Sequence, residues 1–95
     1  MLKVNEYFDG NVKSIGFEIH YEKSTIGVME SGSYQFNTGS AERMTVIKGA
    51  LTIQLANEDD WHTYQQGQSF LVAEHSSFKL QVNVPTAYLC EFISG

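Results

Sequence analysis

Apolar and polar residues alternate in short runs along most of this chain. Residues 51–55 (LTIQL) show the pattern most cleanly, and residues 78–82 (FKLQV) repeat it near the end. Successive side chains of a β-strand point to opposite faces, so a period of two predicts strands with one buried and one exposed face. Turn signals such as Lys48-Gly49 separate these runs. The pattern therefore predicts an all-β protein.

Eight or nine short strands follow from this pattern. The clearest of them occupy residues 12–19, 25–29, 33–38, 44–47, 51–55, 61–64, 69–72, 78–82 and 88–93. Residues 4–8 are the one helical candidate and are too short to form a stable helix alone. Strands at such even spacing are typical of a sandwich or barrel. Closure into a barrel would remove exposed sheet edges, and so would edge pairing in a dimer.

Length and composition predict one globular domain spanning residues 1–95. A chain of 95 residues is too short for two cores, and its 42% hydrophobic and 13% aromatic content is enough for one. The formal net charge is −5, which argues against nucleic-acid or anionic-membrane binding. An acidic chain can still bind one phosphate through local cations and backbone N–H groups.

Cys90 is the only cysteine of the chain. An internal disulfide and a cysteine-rich zinc site are therefore excluded, and a mid-strand position predicts a buried, inert thiol. The chain turns polar at residue 3, and no stretch approaches the roughly 20 apolar residues that span a bilayer. We therefore expect a soluble cytoplasmic protein without a membrane partner.

Two segments resemble the motifs of the cupin superfamily. Residues 42–49 begin with Glu42 and end with Gly49, as in the second half of the first cupin motif. Residues 67–78 resemble the second motif, and the two segments occur in the expected order on predicted strands. The resemblance implies a single-domain cupin-type β-barrel, the RmlC-like jelly roll.

The metal ligands of cupins have no counterpart in this sequence. A metal cupin takes two histidines from the strand before Glu42, where residues 34–38 read YQFNT, and a third where Phe78 stands. Phe has no lone pair to donate to a metal. His20, His62 and His75 share no ligand-like spacing. We therefore expect no metal and reject a metal-dependent oxygenase or isomerase.

The whole chain is also similar to a small bacterial family, the broad-specificity pyrimidine/purine nucleoside phosphorylases. The matching stretches are residues 5–8, 12–17, 27–29, 42–46 and 88–90. Ala73 and Glu74 differ from the proline and glycine of the family pattern, as does the two-residue tail 94–95. An alanine in place of proline is expected to loosen one turn.

This resemblance implies an activity and an assembly. The activity is phosphorolysis, in which phosphate attacks a purine or pyrimidine nucleoside to give free base and pentose 1-phosphate. Inorganic phosphate is then a co-substrate, and no cofactor is expected. The implied assembly is a homodimer.

Candidate phosphate ligands lie in and near one glycine-containing turn. Thr38 and Ser40 flank Gly39, and their hydroxyls together with backbone N–H groups suit phosphate oxygens. Arg43 follows closely and binds two oxygens at once. Lys13 and Lys23 are further cations on neighbouring strands. The alternative is a polar hairpin with an exposed arginine.

Glu42 and Arg43 are the predicted catalytic pair. By the period of two, Glu42 faces the barrel interior, where a carboxylate can hold ribose hydroxyls and offset positive charge on the sugar ring. A structural carboxylate at the end of the barrel is the alternative. We expect both Glu42→Gln and Arg43→Ala to lose turnover without loss of thermal stability.

Three aromatic residues are predicted to bind the base. Phe36, Phe78 and Tyr88 face inward by alternation, and stacking tolerates any base because each has a π-face. Core filling is the alternative for each of them. His75 could donate a proton to the departing base, but a surface histidine is the favoured interpretation. A second functional hypothesis for the chain is a non-catalytic cupin module that binds a small molecule.

Overall fold

The computed structural model describes residues 2–93, which form ten strands. Their bounds are β1 Lys3–Tyr7, β2 Val12–Ile19, β3 Glu22–Met29, β4 Gly32–Asn37, β5 Ala41–Lys48, β6 Ala50–Leu55, β7 His62–Gln65, β8 Ser69–Val72, β9 Ser77–Val82 and β10 Thr86–Ile93. The all-β prediction is confirmed. The tail 94–95 lies outside the described residues.

Two antiparallel sheets enclose the core. Six strands form one sheet in the order β1-β2-β3-β10-β5-β8, and four form the other in the order β4-β9-β6-β7. The segment considered as a helix is β1, which pairs along its whole length with β2, from Lys3 opposite Gly16 to Tyr7 opposite Val12. Sheet pairing therefore outweighs its short helical pattern. Residues 2–93 contain no helix long and apolar enough to cross a membrane.

The inward faces of both sheets form one hydrophobic core. Strand β9 alternates between buried and exposed residues, as its sequence predicts. Fully buried side chains come from both sheets, among them Val12, Met29, Leu51, Ile53 and Leu80. The period of two thus places one face of each sheet in the core and the other in solvent.

The register between β5 and β10 sets the position of the candidate site. Glu42 pairs with Phe92, and Met44 pairs with Cys90. Residues that pair directly point to the same face of a sheet, so these four side chains face the interior together. Since the two strands are antiparallel, the start of β5 and the end of β10 lie at the same end of the sheet. We call this the Glu42 end.

Candidate active site

A cavity of about 240 Å³ lies between the two sheets. Side chains from β1, β2, β3, β4, β5, β9 and β10 line it. They are the aromatic residues Tyr7, Phe36, Phe78, Tyr88 and Phe92, the polar residues Ser14, Asn37, Glu42 and Cys90, and two methionines, Met29 and Met44, with Gly39 completing the wall. An apolar pocket with a few polar groups is the usual form of a small-molecule site.

Aromatic rings form one wall of this cavity. Phe36 pairs with Phe78 across β4 and β9, and their rings stack with centroids 6.0 Å apart. Tyr7 meets Phe36 edge to face at 5.7 Å, and Phe8 meets it from the β1–β2 turn at 5.4 Å. These contacts between rings set the orientation of each one. The sequence predicted Phe36 and Phe78 here, and the structure places both in the cavity wall.

Tyr88 lines the cavity from β10 and lies across a glycine. It pairs with Gly27 on β3, and a Cβ on Gly27 would come within 2.5 Å of the Tyr88 hydroxyl oxygen. The missing side chain therefore makes room for the phenol ring. Burial raises the pKa of Tyr88, while a hydrogen bond with Ser14 acts in the opposite direction. Tyr88 is consequently a neutral phenol at physiological pH.

Glu42 contributes the carboxylate of the cavity. It is half-buried near the start of β5, and Cys90 donates a hydrogen bond from Sγ to Glu42 Oε1 over 3.4 Å. Loss of solvent raises the pKa of Glu42, and the hydrogen bond from the thiol lowers it by less. The predicted inward orientation of Glu42 agrees with the structure.

The turn 38–40 is tied down by its own hydrogen bonds. Buried Thr38 donates from its hydroxyl to the Ala73 carbonyl over 2.7 Å and accepts from the Ser76 N–H over 2.9 Å. Its side chain therefore joins this turn to the β8–β9 turn, and its hydroxyl both donates and accepts a hydrogen bond there. Ser40 is exposed and does not line the cavity, whereas Gly39 does.

Arg43 lies on the opposite face of β5 from Glu42. Its guanidinium donates from Nε to Glu91 Oε1 over 3.1 Å on the outer surface of the six-stranded sheet. Consecutive strand residues point to opposite faces, so the structure does not bring Arg43 into the cavity with its neighbour. The same alternation places Lys13 outside, where it forms an ion pair with Glu6.

Lys23 is the predicted cation that falls on the inner face. It lies two residues from Thr25, which pairs with Cys90, and opposite Glu18 on β2. Its position at the start of β3 puts it at the Glu42 end of the same sheet. The side chain is exposed and is not among those that line the cavity.

Several cavity residues were not predicted from the sequence as part of the site, among them Ser14 and the two described next. Tyr7 reaches the cavity from β1, and Asn37 reaches it from the last position of β4. Tyr7 is distant from Glu42 in sequence and is brought close by the sheet order, whereas Asn37 is only five residues from it, across the turn 38–40. His75 is exposed in the β8–β9 turn, and its backbone N–H donates to the Gly39 carbonyl over 3.1 Å.

The residues of the cavity do not fit a metal of the cupin type. Phe78 occupies the third histidine position and packs on aromatic rings. Within residues 2–93, no three His, Cys, Asp or Glu residues come together as a metal-binding group. Burial and the nearby Glu42 raise the pKa of the Cys90 thiol, so it remains a poor ligand.

These features define what the cavity can do chemically. The rings accept a flat apolar group by stacking, and the carboxylate at the Glu42 end accepts hydroxyl hydrogen bonds or faces developing positive charge. The neutral Tyr88 phenol and the Ser14 hydroxyl add two further hydrogen-bonding groups to the cavity lining.

Comparison with protein families matches nearly the whole chain. A family model described as pyrimidine/purine nucleoside phosphorylase matches residues 2–92. The protein of that name from Aeromonas hydrophila is 77% identical over 93 residues, which cover 98% of this chain and 99% of the relative. The one from Vibrio cholerae is 59% identical, covering 98% of each chain.

Solved structures confirm the fold. A Vibrio parahaemolyticus protein of unknown function superposes with a TM-score of 0.95 at 52% identity, covering 98% of this chain and 99% of that one. An RmlC-like cupin from Shewanella frigidimarina superposes with a TM-score of 0.75 at 15% identity, covering 96% and 82%. The predicted cupin-type barrel is therefore confirmed.

Proposed function

This chain belongs to the pyrimidine/purine nucleoside phosphorylase family, and we propose that it cleaves purine and pyrimidine nucleosides with inorganic phosphate. A phosphate oxygen bonds to C1′ of the pentose while the N-glycosidic bond breaks. The bonding electron pair leaves with the base, which takes up a proton from solvent. The products are free base and pentose 1-phosphate.

The observation that carries this proposal is a cavity with an aromatic wall at one side and a carboxylate at one end. Phe36, Phe78 and Tyr7 line the cavity together and give it aromatic surface. Such surfaces bind any base through its π-face, and hydrogen-bond readout is not needed. Broad base specificity follows directly from this arrangement.

Glu42 is proposed to act on the sugar. The transition state of N-glycosidic cleavage carries positive charge on the pentose ring, and a carboxylate in a partly desolvated site stabilises that charge. The same oxygens accept hydrogen bonds from ribose hydroxyls in the ground state. Loss of the negative charge at Glu42 should therefore affect turnover more than binding.

The phosphate is proposed to bind at the Glu42 end, close to Lys23 and the backbone of Gly39. Lys23 lies on the inner face, whereas Arg43 and Lys13 are paired with acidic residues outside. A dianionic nucleophile needs a cation or N–H donors there because Glu42 repels it. No further cofactor enters this scheme, because phosphate is both nucleophile and co-substrate.

We also propose that the protein is a homodimer. The outer face of the six-stranded sheet carries a row of apolar side chains on adjacent strands, with Val4 68%, Ile15 45% and Ile26 41% exposed. Val28, which is 51% exposed, extends this row on β3. Contiguous exposed apolar surface of this kind favours association with another protein surface.

Phosphate dependence tests the proposed reaction. Purified, chelator-treated protein is incubated with uridine or adenosine, with and without phosphate, and free base and pentose 1-phosphate are measured. We expect both products from both nucleosides, and only with phosphate. Base release that ignores phosphate would contradict the proposal, as would nucleoside binding without any release, the outcome expected of a non-catalytic module.

A further inference from the structure

We propose that Cys90 is a positioning residue for this reaction, in which its thiol donates a hydrogen bond to Glu42 and holds the carboxylate toward the substrate. The inference rests on the proposed phosphorolysis and deepens it, because it assigns a role to the cysteine that the reaction itself does not require. Cys90 acts through Glu42 and forms no bond to substrate.

The geometry of the pair supports this role. Cys90 Sγ lies 3.4 Å from Glu42 Oε1, and Cys90 itself is only 4% exposed. The register of β10 against β5 puts Cys90 opposite Met44 and Phe92 opposite Glu42, so the thiol lies diagonally across from the carboxylate on the same face. Both side chains line the cavity. A fixed donor on one strand thus meets a movable carboxylate on the next.

Glu42 needs such a partner because of its place in the strand. It is the second residue of β5, directly after the turn 38–40, and its side chain has three rotatable bonds. Within residues 2–93, the thiol is the hydrogen-bond donor that contacts its carboxylate. Positioned catalytic groups lose much of their effect when they are displaced by about 1 Å.

Burial keeps the cysteine in the form that donates. Desolvation raises the pKa of the Cys90 thiol, and the negative charge of Glu42 raises it further. The group is therefore a protonated thiol and a poor nucleophile at neutral pH. A protonated thiol donates its hydrogen to the carboxylate, which favours the ionised form of Glu42 against the effect of burial.

Other titratable groups lie on the inward-facing side of β10 and of the three strands beyond it, β3, β2 and β1. Tyr88 on β10 and Tyr7 on β1 line the same cavity. Lys3 on β1, Glu18 on β2 and Lys23 on β3 point to the same side of the sheet as Gly16 and Thr25. All three lie near the ends of their strands, where their side chains are exposed. Glu91 lies on the outer face, where Arg43 pairs with it. None of these groups changes when Cys90 is replaced by a small neutral residue.

Two substitutions separate hydrogen bonding from packing. Cys90→Ala removes the donor, whereas Cys90→Ser keeps a donor at the same position with little change in volume. We expect Cys90→Ala to lower kcat by roughly 10-fold to 100-fold with little change in KM, and Cys90→Ser to restore most of the loss. Activity in the Ser variant would also exclude the sulfur as a nucleophile.

The pKa of Glu42 provides a second readout, which depends on the hydrogen bond from residue 90 and not on packing alone. It can be measured from the acidic limb of the pH profile of kcat/KM and, without any substrate, from the carboxyl carbon by NMR. Loss of the thiol donor should raise the pKa of Glu42 in Cys90→Ala, and the hydroxyl of Cys90→Ser should bring it back down. The NMR titration also serves if the Ala variant is too inactive for kinetics.

The outcomes distinguish this inference from the proposed function. Wild-type protein without phosphate-dependent activity would overturn the function itself. An active wild type, together with a Cys90→Ala variant of unchanged kcat and unchanged Glu42 pKa, would overturn only the role of Cys90. Equal losses in the Ala and Ser variants, with no difference in Glu42 pKa, would assign Cys90 to packing and also overturn it.

Discussion

Glu42 and Arg43 are adjacent in sequence, yet they lie on opposite sides of a sheet. The sequence hypothesis paired them because a carboxylate and a guanidinium suit the two halves of the reaction. The alternation that places Glu42 inward necessarily places Arg43 outward, and Arg43 pairs there with Glu91. Chemical suitability favoured both residues, while strand geometry admits only one of them to the cavity.

Kinetics of the two variants decide between these views. We expect Glu42→Gln to lower kcat about 100-fold or more, because the amide cannot offset positive charge on the sugar. Arg43→Ala is expected to retain turnover, contrary to the sequence hypothesis, because its guanidinium lies on the outer face of the sheet, where it pairs with Glu91. Steady-state kcat and KM with saturating phosphate measure both. Loss of turnover in Arg43→Ala would mean that the outer face contributes to catalysis.

Thermal stability provides the control for Glu42→Gln. Burial raises the pKa of Glu42 above its ordinary value of 4.5, so the folded state binds this proton more tightly than the unfolded state. Stability from this group is complete below about pH 4.5 and decreases as the pH rises through the raised folded pKa. Glu42→Gln should therefore have a higher Tm than wild type at pH 7, and the difference should vanish at pH 4. A lower Tm at pH 7 would indicate that the kinetic loss comes from misfolding of the variant.

At the scale of strands, the sequence predicted where each strand lies in the chain better than which strands pair with one another. The alternation located β2 to β10, and the cupin-like motifs located the start of β5. Tyr7 was missed because residues 4–8 were considered as a helix and not as a strand, and Asn37 was missed because alternation from its inward-facing neighbour Phe36 predicts that it faces outward. Thr38 was assigned to phosphate, yet its hydroxyl holds two turns together. A local sequence pattern predicts which face of a strand is buried. It does not predict the order of strands in a sheet, which depends on contacts between distant parts of the chain.

The contact of β3 with β10 is testable through Gly27. A Cβ at this position would come within 2.5–2.7 Å of three atoms of the Tyr88 phenol. Gly27→Ala should therefore displace the ring, destabilise the fold by about 1–3 kcal/mol and raise KM for nucleosides.

Gly16→Ala is the matched control for this substitution. It lies on the same face of the neighbouring strand β2, where a Cβ meets only ordinary contacts beginning at 3.7 Å from the Lys3 carbonyl oxygen. Denaturant unfolding and KM should change little for Gly16→Ala. Equal effects of the two substitutions would mean that Tyr88 does not depend on the gap at Gly27.

At the scale of the whole molecule, the two outer faces differ in character. The four-stranded sheet presents polar side chains outward, such as Gln35, Lys79 and Gln81, whereas the six-stranded sheet presents Ile15 and Ile26. The period of two predicts which residues face outward, but an apolar residue facing outward breaks the pattern of a solvated face. A protein surface covering the larger sheet would account for that difference.

This difference gives a test of the proposed homodimer. If two copies associate through the apolar row, introducing charge into its centre should dissociate them, because an unpaired buried charge is strongly unfavourable. In sedimentation velocity we expect wild type to have the mass of two chains, and we expect the double substitution Ile26→Lys and Val28→Lys to give monomers.

The double substitution Gln35→Lys and Gln81→Lys adds the same charge to the outer face of the four-stranded sheet, where both residues are exposed. It should leave the dimer intact and so controls for the general effect of added positive charge. If the Ile26 and Val28 variant remained dimeric, the interface would lie elsewhere, as in pairing between sheet edges. A monomeric wild type would contradict the homodimer altogether.

Because Arg43 lies on the same outer face as this apolar row, comparing turnover in the monomeric variant and in Arg43→Ala would reveal whether that face contributes to activity at all.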